Sequence, residues 1–266
     1  MSKKNTLIEI DNLDYSTLFK NLSIKIYDGS YNLIAGPSLS GKSTLLKIIG
    51  GLISTNVVIK YSGKEYSSLN RNVLFDNIKY IDLNSKVIFY GNVEDIFLKN
   101  LKNKVKNEDI TKKYKDIINI CDIADVTLCD FNSLNKFNKD KVLVGLSLIS
   151  DPKCLLIDNL CTFNTKKERK AFENIFNILN KEYGVTIVIS SSNLLPITYT
   201  DYIYVLYKGE IVLNGERDKI LREDNKLNKC SLDLPFIYDL SDKLIDYNLI
   251  GDMIDDIDRM VNALWK

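Results

Sequence analysis

Residues 36–44 read GPSLSGKST and fit the phosphate-binding pattern G-x-x-x-x-G-K-[ST] without a mismatch. Gly36 and Gly41 let the backbone turn tightly and approach a phosphate with no Cβ in the way. The N–H groups of the intervening Pro37-Ser38-Leu39-Ser40 loop and its flanks can form a concave anion nest. Lys42 brings a compact positive charge to the outer phosphates. The Ser43 hydroxyl suits one coordination position on Mg²⁺, a hard ion that prefers oxygen. Thr44 continues into a segment whose helical N-terminus would face the same phosphates. The chemistry is the binding of a phosphorylated ligand with Mg²⁺.

Such a loop needs a second acidic group for the metal, normally acting through water. Asp158 closes the short apolar run CLLID at 154–158, which places it at the tip of a strand neighbouring the loop. A turn or helix-capping aspartate is the other reading, and the loop upstream favours the magnesium one.

The flanking elements agree. Residues 31–35 (YNLIA) form an apolar run of strand length, and residues 44–49 (TLLKII) continue as a helix closed by Gly50-Gly51. Further strands are predicted at 7–10, 22–27, 57–61, 78–81 and 186–189, with Asp28-Gly29 turning into the loop-bearing strand. Residues 92–118 read as one charged helical stretch with Val93, Ile96, Phe97 and Leu101 on one face. Residues 166–181 form an amphipathic helix, and 202–213 a hairpin turned at Lys208-Gly209. Two amphipathic helical patterns fill 232–266, one through Ile237, Leu240 and Leu244, the other through Ile254, Ile257, Val261 and Leu264. Strands alternating with helices predict an α/β fold around a mainly parallel sheet.

Composition excludes several classes. The 266 residues carry 36 basic and 35 acidic side chains with no basic block, so nucleic acid is a poor partner. Histidine is absent, which removes Ser-His-Asp catalysis and histidine metal sites. Cys121, Cys129, Cys154, Cys161 and Cys230 show no C-x-x-C spacing and read as small buried hydrophobes in a reducing compartment. No apolar run is long enough to span a bilayer, and MSKKNTLIEI has no apolar signal core. A chain that stays in the cytoplasm, reaching a membrane only through another chain, is expected.

The order of these parts resembles the nucleotide-binding subunits of ABC transporters over essentially the whole chain. The carriers are IEIDNLDYS, LFKNLSIKIYDGSYNLIAGPSLSGKSTLLKIIGGL and YVLYKGEIVLNGERDKIL. The tail, CSLDLPFIYDLSDKL to VNALW, is more particularly similar to the ATP-binding subunits of energy-coupling factor (ECF) transporters. The resemblance implies a P-loop NTPase core at 1–230 with a helical subdomain near 92–150, an antiparallel β part, and a C-terminal helical dimerisation extension at 231–266. It implies ATP with Mg²⁺, held by the loop and Asp158. It implies a second, unlike ATPase subunit, a membrane scaffold protein and a substrate-binding membrane protein, at the cytoplasmic face of the membrane. It also implies an aromatic stacked on adenine, for which Tyr15 is the choice; an ordinary strand-edge tyrosine is the alternative.

The departures are specific. Where the family has a glutamate after the magnesium aspartate, this chain has Asn159, whose amide can hydrogen-bond a water but cannot take its proton. The LSGGQ signature is replaced by Leu134-Asn135-Lys136-Phe137-Asn138, so both glycines become bulky residues whose Cβ atoms crowd the approach to a partner-held γ-phosphate, although Lys136 can supply charge. The switch histidine falls at Ser192, the metal-sensing glutamine at Leu83 or Asn84, and the aspartate loop reads CTFNT. The resulting expectation is an ATP-binding subunit of an ECF-type importer with impaired hydrolysis at its own site. A nucleotide-gated structural or regulatory subunit that never turns over is the alternative. A soluble P-loop kinase leaves the hairpin and tail unexplained.

Overall fold

The computed structural model describes residues 5–104, 106, 109–159 and 165–265. Its centre is a six-stranded sheet in the order β10-β9-β3-β8-β7-β6. The members are β3 (Tyr31–Ala35), β6 (Ile78–Asp82), β7 (Cys154–Asp158), β8 (Thr186–Ser191), β9 (Tyr202–Tyr207) and β10 (Glu210–Glu216). All neighbours pair in parallel except β9 with β10. That pair is the predicted hairpin, with Lys208 and Gly209 both at positive φ, the mark of a tight two-residue turn. A second, antiparallel sheet runs β2-β1-β4-β5, from β1 (Thr6–Tyr15), β2 (Phe19–Tyr27), β4 (Ile59–Tyr61) and β5 (Lys64–Glu65).

Both faces of the sheet are covered at its centre, so β3, β7 and β8 are buried along their length and successive residues feed different cores. Ile34, Leu156 and Val188 point with α1 (Lys42–Ile49) toward the antiparallel sheet, meeting Ile8, Ile10, Leu22 and Ile24. Leu33, Leu155 and Ile187 point the other way, toward the helices. Those are α3 (Val93–Lys102), α4 (Ile110–Cys121), α5 (Lys136–Ser147) and α6 (Lys166–Lys181), and α2 (Arg71–Asn77) leads into β6. The stretch expected as one helix over 92–118 is two, α3 and α4. The run KNKVKNED between them carries a single apolar residue and has nothing else to bury. Cys121, Cys154 and Cys230 are buried as expected, and burial pushes the Cys121 thiol up to about 12. Cys129 is exposed, against expectation, because it lies in the turn before α5. Cys161 and the CTFNT loop up to Asn164 lie outside the described residues.

The C-terminal part holds α7 (Arg217–Ile220), α8 (Asp224–Lys229), α9 (Phe236–Asp246) and α10 (Ile257–Leu264). Leu232, Leu234 and Tyr238 belong to the main core together with Ile220, Leu221 and Leu227. The segment from about residue 232 is therefore seated on the core through its first third. Beyond Asp246, the apolar side chains of Tyr247, Leu249, Ile257, Val261 and Trp265 are exposed, interspersed with exposed Asp252, Asp256 and Asp258. Among the described residues no helix is long and apolar enough to cross a membrane.

Truncation separates the two portions. Deleting residues 249–266 should leave cooperative urea unfolding intact. Deleting from 232 removes three buried side chains worth about 2 kcal/mol each and should abolish the cooperative transition, read by circular dichroism.

Candidate nucleotide site

β3 runs straight into the phosphate loop, and α1 leaves it at Lys42. The loop turns through Leu39 and Gly41, at φ of 66° and 101°. Gly41 must be glycine twice over, since a Cβ would also meet the Phe19 ring at 2.7 Å. Gly36 is needed for a different reason from the one the motif suggests. A Cβ there would lie 2.1 Å from the carbonyl oxygen of Leu206 on β9, so the neighbouring strand requires the glycine as much as any phosphate does. Leu39, by contrast, is a fully exposed leucine in left-handed backbone, a conformation that costs a non-glycine residue about 1–2 kcal/mol.

Leu18, Ser38, Leu39, Gly41, Lys42, Ser43, Thr44, Asn84, Asn159 and Ser192 enclose an open cleft of about 570 Å³. That is within the range of small-molecule sites. The N-terminus of α1 opens into it with no side-chain cap and no acidic residue in its first turn, so its orphan N–H groups suit an anion. Lys42 Nζ donates to the carbonyls of Gly36 and Pro37 at 2.7 and 2.8 Å, holding the loop closed around its own ammonium.

Sequence reading left the glutamine position open between Leu83 and Asn84. Leu83 is in the core, and Asn84 lines the cleft. Ser192 and Asn159, at the histidine and glutamate positions, also line it. Tyr15 is not among the lining residues. Its ring lies 6.4 Å from that of Phe19, and Leu18 takes the cleft position instead. Leu18 is placed there by the β9–β10 hairpin, whose Gly209 would carry a Cβ only 1.8 Å from the Leu18 carbonyl oxygen.

Asp158 lies buried behind the cleft, with β8 between its strand and β3, so β7 is not the loop's immediate neighbour. Ser190 on β8 donates its hydroxyl to Asp158 Oδ1, and Tyr80 on β6 donates to Oδ2 at 2.9 Å. Burial and the Asp158 charge push the Tyr80 phenol far above its usual range. Ser190 Oγ also accepts from the backbone N–H of Asn159 at 3.0 Å. One serine thus orients both residues at the tip of β7, a role that no local motif announced. Among the described residues no cluster of three His, Cys, Asp or Glu side chains could hold a metal unaided. The donor set fits Mg²⁺ bound with a nucleotide, where Ser43, phosphate oxygens and waters held by Asp158 would share it.

Leu134 to Asn138 lie away from the cleft. Asn135 caps α5 by accepting from the Asn138 N–H at 2.9 Å. The half-exposed Lys136 side chain is engaged on its own chain. Its Nζ donates to the Leu83 carbonyl and to Asp140 Oδ2, the latter at 2.7 Å. Phe137 turns inward, edge-on to Phe172 of α6 at 5.6 Å with the Lys141 ammonium 4.8 Å from its ring centroid.

Two substitutions test this geometry. Gly36→Ala should destabilise the fold by about 1–3 kcal/mol in urea titrations, because the obstacle is backbone rather than a movable side chain. Lys42→Ala should leave stability nearly unchanged and weaken MgATP binding at least tenfold by calorimetry.

The family model described as ABC transporter matches residues 19–162. The energy-coupling factor transporter ATP-binding protein EcfA1 of Mycoplasmoides gallisepticum is 26% identical over 252 residues, covering 92% of this chain and 90% of that protein. EcfA1 of Ligilactobacillus salivarius is 27% identical over 239 residues, covering 86% and 85%. In fold the chain is similar to cbiO1 from Clostridium perfringens, part of the ABC transporter complex cbiONQ, with a TM-score of 0.77 at 21% identity, covering 89% of this chain and 99% of that one. It is also similar to the ATP-binding cassette MJ0796 bound to ADP and Pi, with a TM-score of 0.68 at 20% identity, covering 79% and 99%. With an unbroken phosphate loop and the family pattern spanning more than half its length, the chain belongs to the ABC transporter family as an ATP-binding subunit, most like those of energy-coupling factor transporters.

Proposed function

We propose that this chain binds MgATP at its own loop within an ECF-type importer, paired with a second, unlike ATPase subunit at the cytoplasmic face of the membrane. The observation that carries the reading is the cleft itself. Its phosphate-binding side is complete, while Asn84, Asn159 and Ser192 form the opposite side. Lys42, Ser43 and the α1 N-terminus hold the phosphates, Ser43 and Asp158 serve the Mg²⁺, and Leu18 offers an apolar contact to the base. Bound Mg²⁺ would neutralise charge on the outer phosphates. A membrane scaffold protein and a substrate-binding membrane protein complete the assembly in this reading, supported by relatives named as ATP-binding proteins of energy-coupling factor transporters. Residues 1–230 form the nucleotide-binding unit, and the exposed apolar residues of 247–265 support association with the second subunit.

Hydrolysis at this loop is slow in this reading. No glutamate follows Asp158, Ser192 replaces the histidine, and the α5 N-terminus is tied inward through Lys136. The same observations favour the second reading, a subunit that binds ATP to hold the assembly and does not turn over.

Phosphate release and co-purification test these readings. Affinity isolation of the full chain should bring down membrane subunits and a second ATPase. Alone, the chain should turn over far below an ordinary ABC ATPase. Asn159→Glu should raise its rate less than tenfold, since catalytic groups act as a unit and repairing one leaves the others limiting. Brisk turnover by the isolated wild-type chain would refute the impaired-site reading.

A further inference from the structure

The two ends of the cleft are built differently. The phosphate loop crowds it with donors, from the uncapped α1 N-terminus, Lys42, Ser43 and Thr44. The polar wall of Asn84, Asn159 and Ser192 follows β6, β7 and β8, on one side of β3. Leu18 stands at the other end. It is seated by the hairpin that grows from β9, on the opposite side of β3, and its Cδ1 lies 3.4 Å from where a Cβ on Gly41 would sit. Among the described residues, no aromatic side chain lines the cleft.

The β1–β2 turn explains why no ring takes that place. Strand β1 ends at Tyr15, β2 begins at Phe19, and these two residues pair directly across the ladder. Paired residues share one face of a sheet. The Tyr15 ring is accordingly tilted against Phe19 and packed on the core beside it. Leu18 donates its N–H to the Tyr15 carbonyl at 3.1 Å, which closes the turn over Ser16 and Thr17. Swinging the Tyr15 ring over the cleft would give up its contact with Phe19.

We propose that this site takes nucleoside triphosphates as a class, held through their phosphates and Mg²⁺, with Leu18 touching a base whose identity is not read. The proposal rests on the triphosphate reading of the cleft and names which triphosphates it admits. A base is told from another by hydrogen bonds to its edge, and a site built to make them rejects analogues by several orders of magnitude, whereas an apolar contact discriminates weakly. Leucine has no side-chain donor or acceptor. It also lacks the π-face on which a base stacks, an interaction worth about 5- to 150-fold in affinity per base. The phosphate end is blind to the base. Occupancy of the cleft therefore follows the total triphosphate pool rather than ATP alone.

Calorimetric titration of the full chain with ATP, GTP, CTP and UTP, each with Mg²⁺, tests this. The four dissociation constants should agree within about threefold, since an apolar contact reads no base edge. Leu18→Ala should weaken all four by one common factor of about 2–5, the scale of a partly lost leucine contact. Tyr15→Ala should leave the ratios among the four unchanged. A preference of about tenfold or more for any one base, equivalent to a well-made specific contact, overturns the proposal. So does a Tyr15→Ala chain that loses affinity for ATP while keeping it for CTP and UTP. A Leu18→Ala chain that binds all four as tightly as wild type overturns the placing of the base on Leu18. The comparison among the four nucleotides needs no variant, so misfolding of either variant leaves the proposal open to refutation. Failure of all four to bind would refute the triphosphate reading of the cleft itself.

Discussion

The carbonyl oxygen of Leu206 lies 2.1 Å from where a Cβ on Gly36 would sit, and the Leu18 carbonyl lies 1.8 Å from that of Gly209. Both are contacts of backbone with backbone, so no rotamer change could relieve a side chain added there. The first seats the start of the phosphate loop on β9. The second seats the β9–β10 hairpin on the β1–β2 turn, which delivers Leu18 to the cleft. Gly41 makes a third close approach, to the side chain of fully buried Phe19. The loop is thus fixed by its junction with both sheets, and the anion nest is a consequence of that junction. This lets Leu39 hold a left-handed conformation, because strain at one residue persists where its surroundings over-determine it.

The parts legible in the sequence were those whose signal is local. Strands β3 and β7 and helix α6 lie where an apolar run or an amphipathic period begins and ends. Helix α5 was not legible as an amphipathic element. Asp140 and Lys141 are both buried in it, so its inner face carries charge and the period is obscured. Burial raises the Asp140 carboxyl above its usual range, opposed by the Lys136 ammonium beside it. Lys141 instead reaches the backbone and side chain of Asp122 at the end of α4, at 2.8 and 2.9 Å. Buried charges of this kind contribute little net stability but select one arrangement over others.

The site divides in the same way. The loop is contiguous and could be read residue by residue. The far wall is assembled from β6, β7 and β8, whose tips lie 77 and 31 positions apart in the chain at Asp82–Asn159 and Asn159–Ser190. Only the parallel register brings them together. IKYID and CLLID both end in aspartate, which was a usable signal, but their adjacency required knowing that β6 pairs with β7. The sequence points to Tyr15 for the base because stacking calls for an aromatic ring. The ring is occupied with Phe19, and the turn exposes the leucine instead.

Binding and turnover place different demands on such a site. Holding a triphosphate needs fixed donors, and α1, Lys42 and the glycine loop supply them whatever stands at residue 159. Accelerating hydrolysis needs interactions stronger in the transition state than in the ground state. In the proposed reading, the departures of this chain from the family pattern fall on groups of the second kind. Lys136 bonds the carbonyl of Leu83, the residue next to Asn84 at the cleft wall. Leu83 in turn donates its N–H to the carbonyl of Asp158 at 3.3 Å. The start of α5, the turn after β6 and the tip of β7 therefore form one hydrogen-bonded chain. Glycines at position 136 would leave α5 without that tie. With lysine there, movement of α5 away from the turn after β6 must first break an ammonium–carbonyl contact. Lys136 thereby ties the start of α5 to the turn that carries Asn84.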